Sequence, residues 1–527
     1  MGFPHARSAL FCALLLFGCD GVIGGGETLE PNRVDNPSPP RAGADLDAGI
    51  PGDPDAGPVP DADVPPPPPG CDPATAPPLQ ARALRLEGVT VNQGVSIPVV
   101  EDAAAVVVQR APIISERAGL LRVFVEPQSG WQAREIVARL EIDGRAEELR
   151  KQIVSRSESS DLSSTINFDL GAGELSEETS FSVQLLELDP CGTYAGVSAQ
   201  ARFPAQSSAP LGVEASPGPF RIVLVPVRYL AQGSTVEPTV DNSTIARFAD
   251  RIRAMYPVAE LEITVRDAAL EFDRTIGADG EGWSDLLSEC LSLRADDQAG
   301  LNTYYYCAVR PTIDAADFCA QGCVAGLGPV PSASDTFNRG SIGLLYENGV
   351  GTFVHEIGHS LGLWHAPCGG ASGADPDFPY VEGGIGVRGF DLTSRELIDT
   401  EHRDLMGYCG PDWISDYHYD KLHRRLVAVT ASSATDLKRV SEPIAARPIV
   451  IDVDGTLSIR QRVWINGWPE GDSVQVQWVD DRGGRQNLEG TFVRVSHLPG
   501  GIIYVPEVDG ALAAVVVSGF GTATLER

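Results

Sequence analysis

Eleven residues constrain the fold of this chain more than any other segment: positions 355–365 read HEIGHSLGLWH. His355 and His359 are four positions apart, so on an α-helix their side chains lie on one face, one above the other. Gly362 can adopt the left-handed backbone that ends a helix, after which the chain can turn back and bring His365 to the same point. The spacing therefore predicts a helix, a glycine-ended turn and three converging imidazoles.

Three neutral imidazoles with an open fourth position are a ligand set of catalytic zinc. The pattern therefore predicts a Zn2+ ion held by His355, His359 and His365. Glu356 stands beside them, placed to reach a metal-activated water without ligating the metal, and would act as general base. The predicted reaction is hydrolysis of a peptide bond without a covalent intermediate.

The pattern H-E-x-x-H-x-x-G-x-x-H resembles the signature of the metzincin clan of zinc endopeptidases. This resemblance implies a methionine in a tight turn beneath the zinc, and Met406 lies downstream of His365 where such a Met-turn is expected. Tyr408 follows by two, as in the astacin-like and serralysin-like branches, whose tyrosine can approach the zinc and stabilise the oxyanion. A tyrosine that only packs near the turn is the alternative. Among the branches, the chain is most similar to large bacterial secreted proteases of the mucin-cleaving StcE type.

Hydropathy patterning predicts a multidomain fold class: an α/β domain flanked by two β-sandwich domains and preceded by a disordered linker. The resemblance of the motif implies that the α/β domain is a metzincin-like catalytic domain. Short apolar runs with period-two alternation, separated by Gly, Ser and Pro, predict the first β-sandwich over residues 79–214. These runs are 84–91, 120–125, 136–142, 165–170 and 181–188. Further β-type runs after position 429 predict the C-terminal β-sandwich over residues 431–527.

Between these regions, residues 215–430 alternate strand-like and helix-like patterns, which predicts an α/β layer around the motif. Ser243 is expected to cap a helix that Pro257 stops. The other expected elements are strands at 221–225, 261–265, 303–309 and 342–346 and a helix at 283–293. The glycine- and aromatic-rich segment 378–391 is expected to be a shaped, partly mobile loop beside the substrate cleft.

The N-terminus has the features of an export signal. Arg7 precedes an apolar run that is too short to cross a membrane, which predicts a signal peptide of lipoprotein type over residues 1–18. The segment LFGC ending at Cys19 resembles a bacterial lipobox, which implies a lipid on that cysteine; simple release is the alternative. The Pro-, Asp-, Ala- and Gly-rich composition of residues 19–78 predicts a disordered linker. The protein is thus expected to be a bacterial cell-surface lipoprotein or secreted, with a membrane contacted only through the anchor.

Eight cysteines remain once Cys12 and Cys19 are set aside. An even number in an exported chain predicts disulfides, and the expected pairs are Cys368 with Cys409 and Cys319 with Cys323. Ligation of zinc by cysteine is the alternative. It needs two pairs of cysteines that are close in sequence, and only Cys319 and Cys323 approach that spacing.

Charge narrows the choice of partner. The chain carries 40 basic and 72 acidic residues, a formal charge of −32 that repels nucleic acid and anionic membranes. The expected partner is a protein or glycoprotein substrate. His402, His418 and His423 lack motif spacing and are interpreted as structural or surface groups, and Asp416 and Asp420 are interpreted as a solvated helix face.

The predicted function is therefore that of a zinc-dependent endopeptidase acting on extracellular proteins or glycoproteins. Two alternatives remain: a catalytically inactive surface adhesion or glycan-binding protein, and a metal-dependent hydrolase of another bond, such as an amide in cell-wall peptide. Inactive copies of such units usually lose the glutamate or a histidine. Retention of Glu356 and all three histidines favours the enzyme.

Overall fold

The structure is a computed structural model that describes residues 70–197, 200–436, 442–508 and 510–525. The expected signal peptide, Cys19 and residues 19–69 of the expected linker lie outside this range. The described residues form mainly β-strands, arranged in several sheets, with few helices. None of the described helices combines the length and hydropathy needed to cross a membrane.

Two sheets form the N-terminal sandwich. In order, the larger contains Glu396–Ile398, Gly389–Asp391, Gly94–Glu101, Leu84–Asn92, Gly119–Pro127 and Ile166–Leu170, with Ala104–Ala105 paired to Gly94–Glu101. The smaller contains Arg202–Phe203, Ser180–Glu187, Arg134–Ile142 and Arg145–Ile153, with Ala209–Pro210 paired to Ser180–Glu187. Ile113–Ile114 and Val213–Glu214 form a separate parallel pair, and Leu162–Ser164 is a short 3-10 helix. The inner faces of both large sheets contribute to one hydrophobic core.

All five runs expected between residues 84 and 188 are strands. The pattern missed Arg145–Ile153, where most side chains are polar and exposed and only Ile153 is fully buried. Alternation identifies a strand only where one face is apolar, and this strand at the sheet edge presents charges to solvent.

Part of the expected loop at 378–391 belongs to the N-terminal sandwich. Gly389 pairs with Val95 and Phe390 with Gly94, so the larger sheet gains strands from the chain segment that follows the third histidine. Phe390 is fully buried. The expectation of a partly mobile loop is therefore wrong for Gly389–Asp391, since ladder hydrogen bonds and burial fix it.

The central sheet positions the motif. Its strands, in order, are Leu261–Val265, Phe220–Tyr229, Thr303–Val309, Gly340–Leu344 and Gly326–Leu327, with Leu270–Phe272 also paired to Phe220–Tyr229. All pair in parallel except Gly326–Leu327, which is antiparallel and lies at the edge. The remaining helices are Asn242–Met255, Trp283–Asp296, Ala315–Phe318, Val350–Ser360 and Asp416–Asp436, with 3-10 turns at Ala231–Gly233 and Val381–Gly383. Arg403–Asp404 and Asp412–Trp413 form a small parallel pair.

The first helix of this region begins two residues earlier than expected. Asp241, not Ser243, caps it, because the Asp241 carboxylate accepts a hydrogen bond from Thr244 N at 2.9 Å. The Ser243 hydroxyl donates to the same carboxylate at 2.7 Å. Either residue type can cap a helix, so the sequence alone did not distinguish two candidates this close together.

The C-terminal region is one antiparallel sheet rather than the expected two-sheet sandwich. Its order is Leu457–Ile459, Ile444–Ile451, Gly501–Pro506, Arg485–Arg494, Asp472–Asp480, Leu512–Val517 and Gly521–Thr524, with Val463–Ile465 paired to Ile444–Ile451. The two end strands contact each other, so the sheet curls around a small core that includes Trp478 and Ile503. Curling covers the sheet edges, which a second sheet would leave open. The strands have the same alternation in a curled sheet and in a two-sheet sandwich, so the sequence pattern does not distinguish the two.

Two hydrophobic cores join these regions. One runs from the N-terminal sandwich into the helices of the central region, including Phe353 and Ile357. The other is shared between the far side of the central sheet, including Trp283, and the C-terminal sheet, including Tyr504. Both neighbours are therefore packed against the region that carries the motif.

Four disulfides cross-link the part of the chain that the structure describes. They join Cys71 to Cys191, Cys290 to Cys307, Cys319 to Cys323 and Cys368 to Cys409, and the last two are the pairs expected from the sequence. The first attaches the end of the expected linker to the N-terminal sandwich. Disulfides at this density indicate an extracellular or exported protein.

Candidate metal centre

The motif helix, Val350–Ser360, follows the strand Gly340–Leu344 and buries Phe353, Val354 and Ile357 against the core. The turn that follows the helix contains Gly362, whose φ is +86°. A Cβ added at Gly362 would lie 3.0 Å from Pro331 O. Leu363 N donates to Gly358 O at 3.0 Å and closes the turn. The left-handed glycine thus redirects the chain toward His365, as the spacing predicted.

Three motif histidines converge on one point. Their ring centroids lie 4.6–5.4 Å apart, and His359 Nε2 is 3.1 Å from His365 Nε2. Each ring bonds a backbone carbonyl through Nδ1: His355 to Leu405 O at 2.8 Å, His359 to Leu363 O at 2.8 Å and His365 to Ser372 O at 2.5 Å. Because a carbonyl only accepts, Nδ1 carries the proton in each ring and the Nε2 lone pairs face the centre.

A fourth histidine, which the sequence reasoning missed, completes the group. His497 lies in the C-terminal sheet region, and its ring centroid is 5.2, 5.1 and 4.7 Å from those of His355, His359 and His365. The ligand atoms of the four residues all lie within 4.8 Å of one another. No sequence spacing links His497 to the motif; the only signal was the scarcity of histidine, eight in the whole chain.

Burial keeps these imidazoles neutral. It lowers the pKa of His355 and of His365 to about 4 and that of His497 to about 3, and it lowers the pKa of His359 well below its usual value. Protonation of one ring would place positive charge beside the other imidazoles. These neighbours therefore lower the pKa of His355, His359 and His365 further. The Nε2 lone pairs of these three rings therefore remain available for ligation in mildly acidic solution.

Glu356 lies at the same centre but points past the three motif rings. It is 2 % exposed; Oε1 is 3.0 Å from His497 Nε2, and Oε2 is buried without a hydrogen-bond partner among the described residues. Burial raises the pKa of its carboxyl to about 8. Gly326 of the edge strand makes room for it, because a Cβ there would lie 2.5 Å from Glu356 Oε1. The position suits a proton carrier rather than a ligand.

Tyr408 reaches the centre. Its hydroxyl lies 3.3 Å from His365 Nε2 and shares a hydrogen bond with His497 Nδ1. The structure therefore places the phenol among the imidazoles, not merely near the turn.

Met406 lies beneath the motif helix. It is fully buried; Leu405 O beside it accepts the His355 hydrogen bond, and Met406 O accepts one from Ala366 N at 3.0 Å. The Cys368–Cys409 disulfide joins the segments that follow His365 and Met406. The Met-turn thus orients His355 from below and holds the backbone that follows His365.

Replacing Gly358 by alanine is expected to destabilise the protein by about 1–3 kcal/mol and to weaken metal binding. A Cβ at Gly358 would lie 2.6 Å from Met406 Sδ, so the fully buried Met406 side chain would have to shift. Gly351→Ala on the same helix is the matched control, because nothing lies within 4 Å of a Cβ there. Denaturant unfolding and zinc titration of both variants provide the measurement; equal behaviour of the two would contradict the packing argument.

The other described histidines are not part of this group. Buried His418 bonds Asp404 through Nδ1 at 2.8 Å, His423 bonds Ala215 O at 2.9 Å, and the half-buried His402 bonds Asp399 O at 3.1 Å. Asp416 is not on a solvated face: it is 2 % exposed and accepts a hydrogen bond from the Tyr380 hydroxyl. The helix that carries it packs its first turn into the core.

The donor set fits a metal ion. Two imidazole lone pairs facing each other across 3.1 Å repel unless a cation or a proton lies between them, and burial disfavours the proton. His355 Nε2 is also buried without a hydrogen-bond partner in the described part of the chain. A compact set of neutral imidazoles is typical of zinc and of neighbouring transition metals.

A metal-binding centre with an adjacent buried carboxyl is the kind of site that metallopeptidases use. Residues 337–429 match the family model described as Peptidase M66, and this match supports a metallopeptidase. The matched segment includes all three motif histidines, Glu356, Met406 and Tyr408, but not His497.

Other comparisons add little. No curated protein matches the chain. A solved structure described as "Structure of a chaperone-substrate complex" aligns with 50% of this chain at 11% identity and a TM-score of 0.21. The alignment spans 43% of that structure's own chain, and a similarity this low supports no conclusion about the fold or function of this protein.

Proposed function

We propose that this protein is a zinc-dependent endopeptidase of the metzincin type that cleaves extracellular proteins or glycoproteins, similar to the secreted StcE-type branch. The observation that carries the proposal is the convergence of three Nε2 atoms beside the buried carboxyl of Glu356. The match to Peptidase M66 supports the same reaction class.

The chain's own groups divide the work of hydrolysis. Zinc, when bound by His355, His359 and His365, would polarise the peptide carbonyl and acidify the attacking water. Glu356 takes a proton from that water and delivers it to the leaving nitrogen. The Tyr408 hydroxyl donates a hydrogen bond to the oxygen on which negative charge develops.

A cavity of about 620 Å³ leads to the centre. His359, His365 and Trp364 line one side, and Glu470 and Arg494 of the C-terminal region line the other. The Trp364 ring is half exposed there and offers an apolar surface. A cleft of this volume is large enough to hold a few residues of a peptide substrate.

Cleavage assays on the purified protein test the proposal. It is expected to contain one zinc per chain, to cleave denatured proteins and mucin-type glycoproteins, to lose activity with a chelator and to regain it with added zinc. A zinc-loaded protein that cleaves neither substrate class would contradict the proposal and would favour the alternative of a surface-binding protein.

We also propose that the protein is exported and that Cys19 carries a lipid. The four disulfides support export. Mass spectrometry of the N-terminal peptide is expected to find diacylglycerol on Cys19, and an unmodified N-terminus at another residue would contradict the anchor.

A further inference from the structure

His497 is carried by a short connection in the C-terminal sheet. Residues 495–500 link the strands Arg485–Arg494 and Gly501–Pro506, and we call them the 497 loop. The loop is hydrogen-bonded to the segment that continues the edge strand Gly326–Leu327: Ser496 N donates to Gly328 O at 2.9 Å, and Gly328 N donates to Ser496 Oγ at 3.1 Å. The loop thus pairs with the edge next to the motif helix.

The sheet behind the loop is fixed in place. Its inner residues share a hydrophobic core with the central sheet. An ion pair joins Arg460 to Asp285, and Asp452 accepts a hydrogen bond from Gly282 N at 3.1 Å. The position of the loop is therefore a property of the packed fold, and Val495 and Leu498 of the loop itself pack against the same core.

The backbone of His497 is strained. Its φ is +64°, in the left-handed region that residues with a Cβ rarely adopt. Such a conformation persists where the surrounding structure determines it, often at functional sites. Here it turns the imidazole toward the other three.

The four rings are arranged as a tetrahedron. All six distances between their centroids fall between 4.6 and 5.4 Å. Zinc–nitrogen bonds of about 2.0–2.1 Å place tetrahedral imidazole rings about 5 Å apart. His497 contacts groups of the centre through both ring nitrogens: its Nδ1 bonds the Tyr408 hydroxyl, and its Nε2 lies 3.0 Å from Glu356 Oε1.

We propose that His497 is a fourth protein ligand of the metal and that the described conformation is a closed, latent form of the enzyme. The latency, unlike the ligand assignment, rests on the proposed function. Four imidazoles fill a tetrahedral set, whereas a catalytic site keeps one position open. His497 also stands where Glu356 must take a proton, 3.0 Å from its Oε1. Activity then requires the 497 loop to release its two hydrogen bonds to Gly328 and withdraw.

Metal binding tests the ligand assignment. We compare the purified protein with His497→Ala and with His402→Ala, which removes a histidine that is not part of the group. Zinc affinity is expected to fall at least about tenfold in His497→Ala, by analogy with the loss of groups that support a ligand, and to stay unchanged in the control. With Co2+ in place of zinc, only His497→Ala should show an altered visible spectrum that responds to added azide. Unchanged affinity and spectrum in His497→Ala would overturn the assignment.

Proteolysis tests the latency. If the loop is open in fewer than a tenth of the molecules, His497→Ala should cleave protein substrates at least about tenfold faster than the unmodified protein. Ser496→Ala removes one of the two loop hydrogen bonds and should give a smaller increase with all four imidazoles present. Slower cleavage by both variants, each shown to be folded by circular dichroism, would overturn latency. Altered metal binding without cleavage by any variant would instead leave the ligand assignment in place and contradict the proposed function.

Discussion

Replacing Glu356 by glutamine is expected to slow peptide cleavage by about 10²–10⁴-fold, the usual contribution of a general base, while the protein keeps its zinc. Glutamine has nearly the same shape as glutamate but cannot accept a proton from water at neutral pH. The three motif histidines orient their Nε2 atoms through backbone carbonyls and not through Glu356, so the ligand set should survive.

A matched control separates this effect from a change of charge in the cleft. Glu470 lines the same cavity from the C-terminal region, and its carboxylate bonds the Ser334 hydroxyl rather than the centre. Glu470→Gln should change the cleavage rate far less than Glu356→Gln. Zinc content and steady-state kinetics of both variants decide the matter, and an unimpaired Glu356→Gln enzyme would show that another group accepts the proton.

The largest loss of stability is expected for Asp404→Ala, about 3–5 kcal/mol, the range for a broken buried ion pair. The Asp404 carboxylate is fully buried and bonds His418 Nδ1 at 2.8 Å, Met406 N at 2.8 Å and Ser415 N at 3.0 Å. Alanine would leave all three donors buried without an acceptor. Because Met406 is one of them, zinc affinity should fall together with the free energy of unfolding.

The pKa of Asp404 gives this pair a pH dependence. Burial by itself raises that pKa, but His418 and the hydrogen bonds outweigh burial, and the pKa is lowered from its usual value of 3.8. A lowered carboxyl pKa stabilises the fold above pH 3.8, and that stabilisation is lost as the pH falls further. Asp412→Ala is the control: Asp412 pairs with Arg251 at a partly exposed site, where such pairs contribute about 0–1 kcal/mol. Similar denaturation midpoints for the two variants would argue against the buried pair.

The local parts of the fold could be predicted from sequence, and the tertiary parts could not. Helical spacing predicted the convergence of His355 and His359, and the left-handed Gly362 turn followed from the same eleven residues. The five runs predicted for the N-terminal sandwich are strands within a few residues of the expected ends, because burial imposes period-two alternation on the sequence. The largely buried strand Gly94–Glu101 was not predicted. The edge strand Arg145–Ile153, which is mainly polar, has no such pattern.

What the sequence did not predict depends on packing between distant segments. His497 reaches the centre only because the C-terminal sheet shares a core with the central sheet. The curling of that sheet and the pairing of Gly389–Asp391 with Gly94–Glu101 also join segments with no common local pattern. A single sequence carries no direct record of such contacts.

The strand Gly389–Asp391 has a consequence for how this gene can evolve. It belongs by position to the segment between the third histidine and the Met-turn, yet its hydrogen-bonding partner is in the N-terminal sandwich. Trp413 N–H likewise donates to Gly94 O at 2.8 Å. Recombination at the boundary near residue 215 would separate strands that pair across it, so each half would lose a hydrogen-bonding partner. The sandwich and the central region should therefore be inherited as one block.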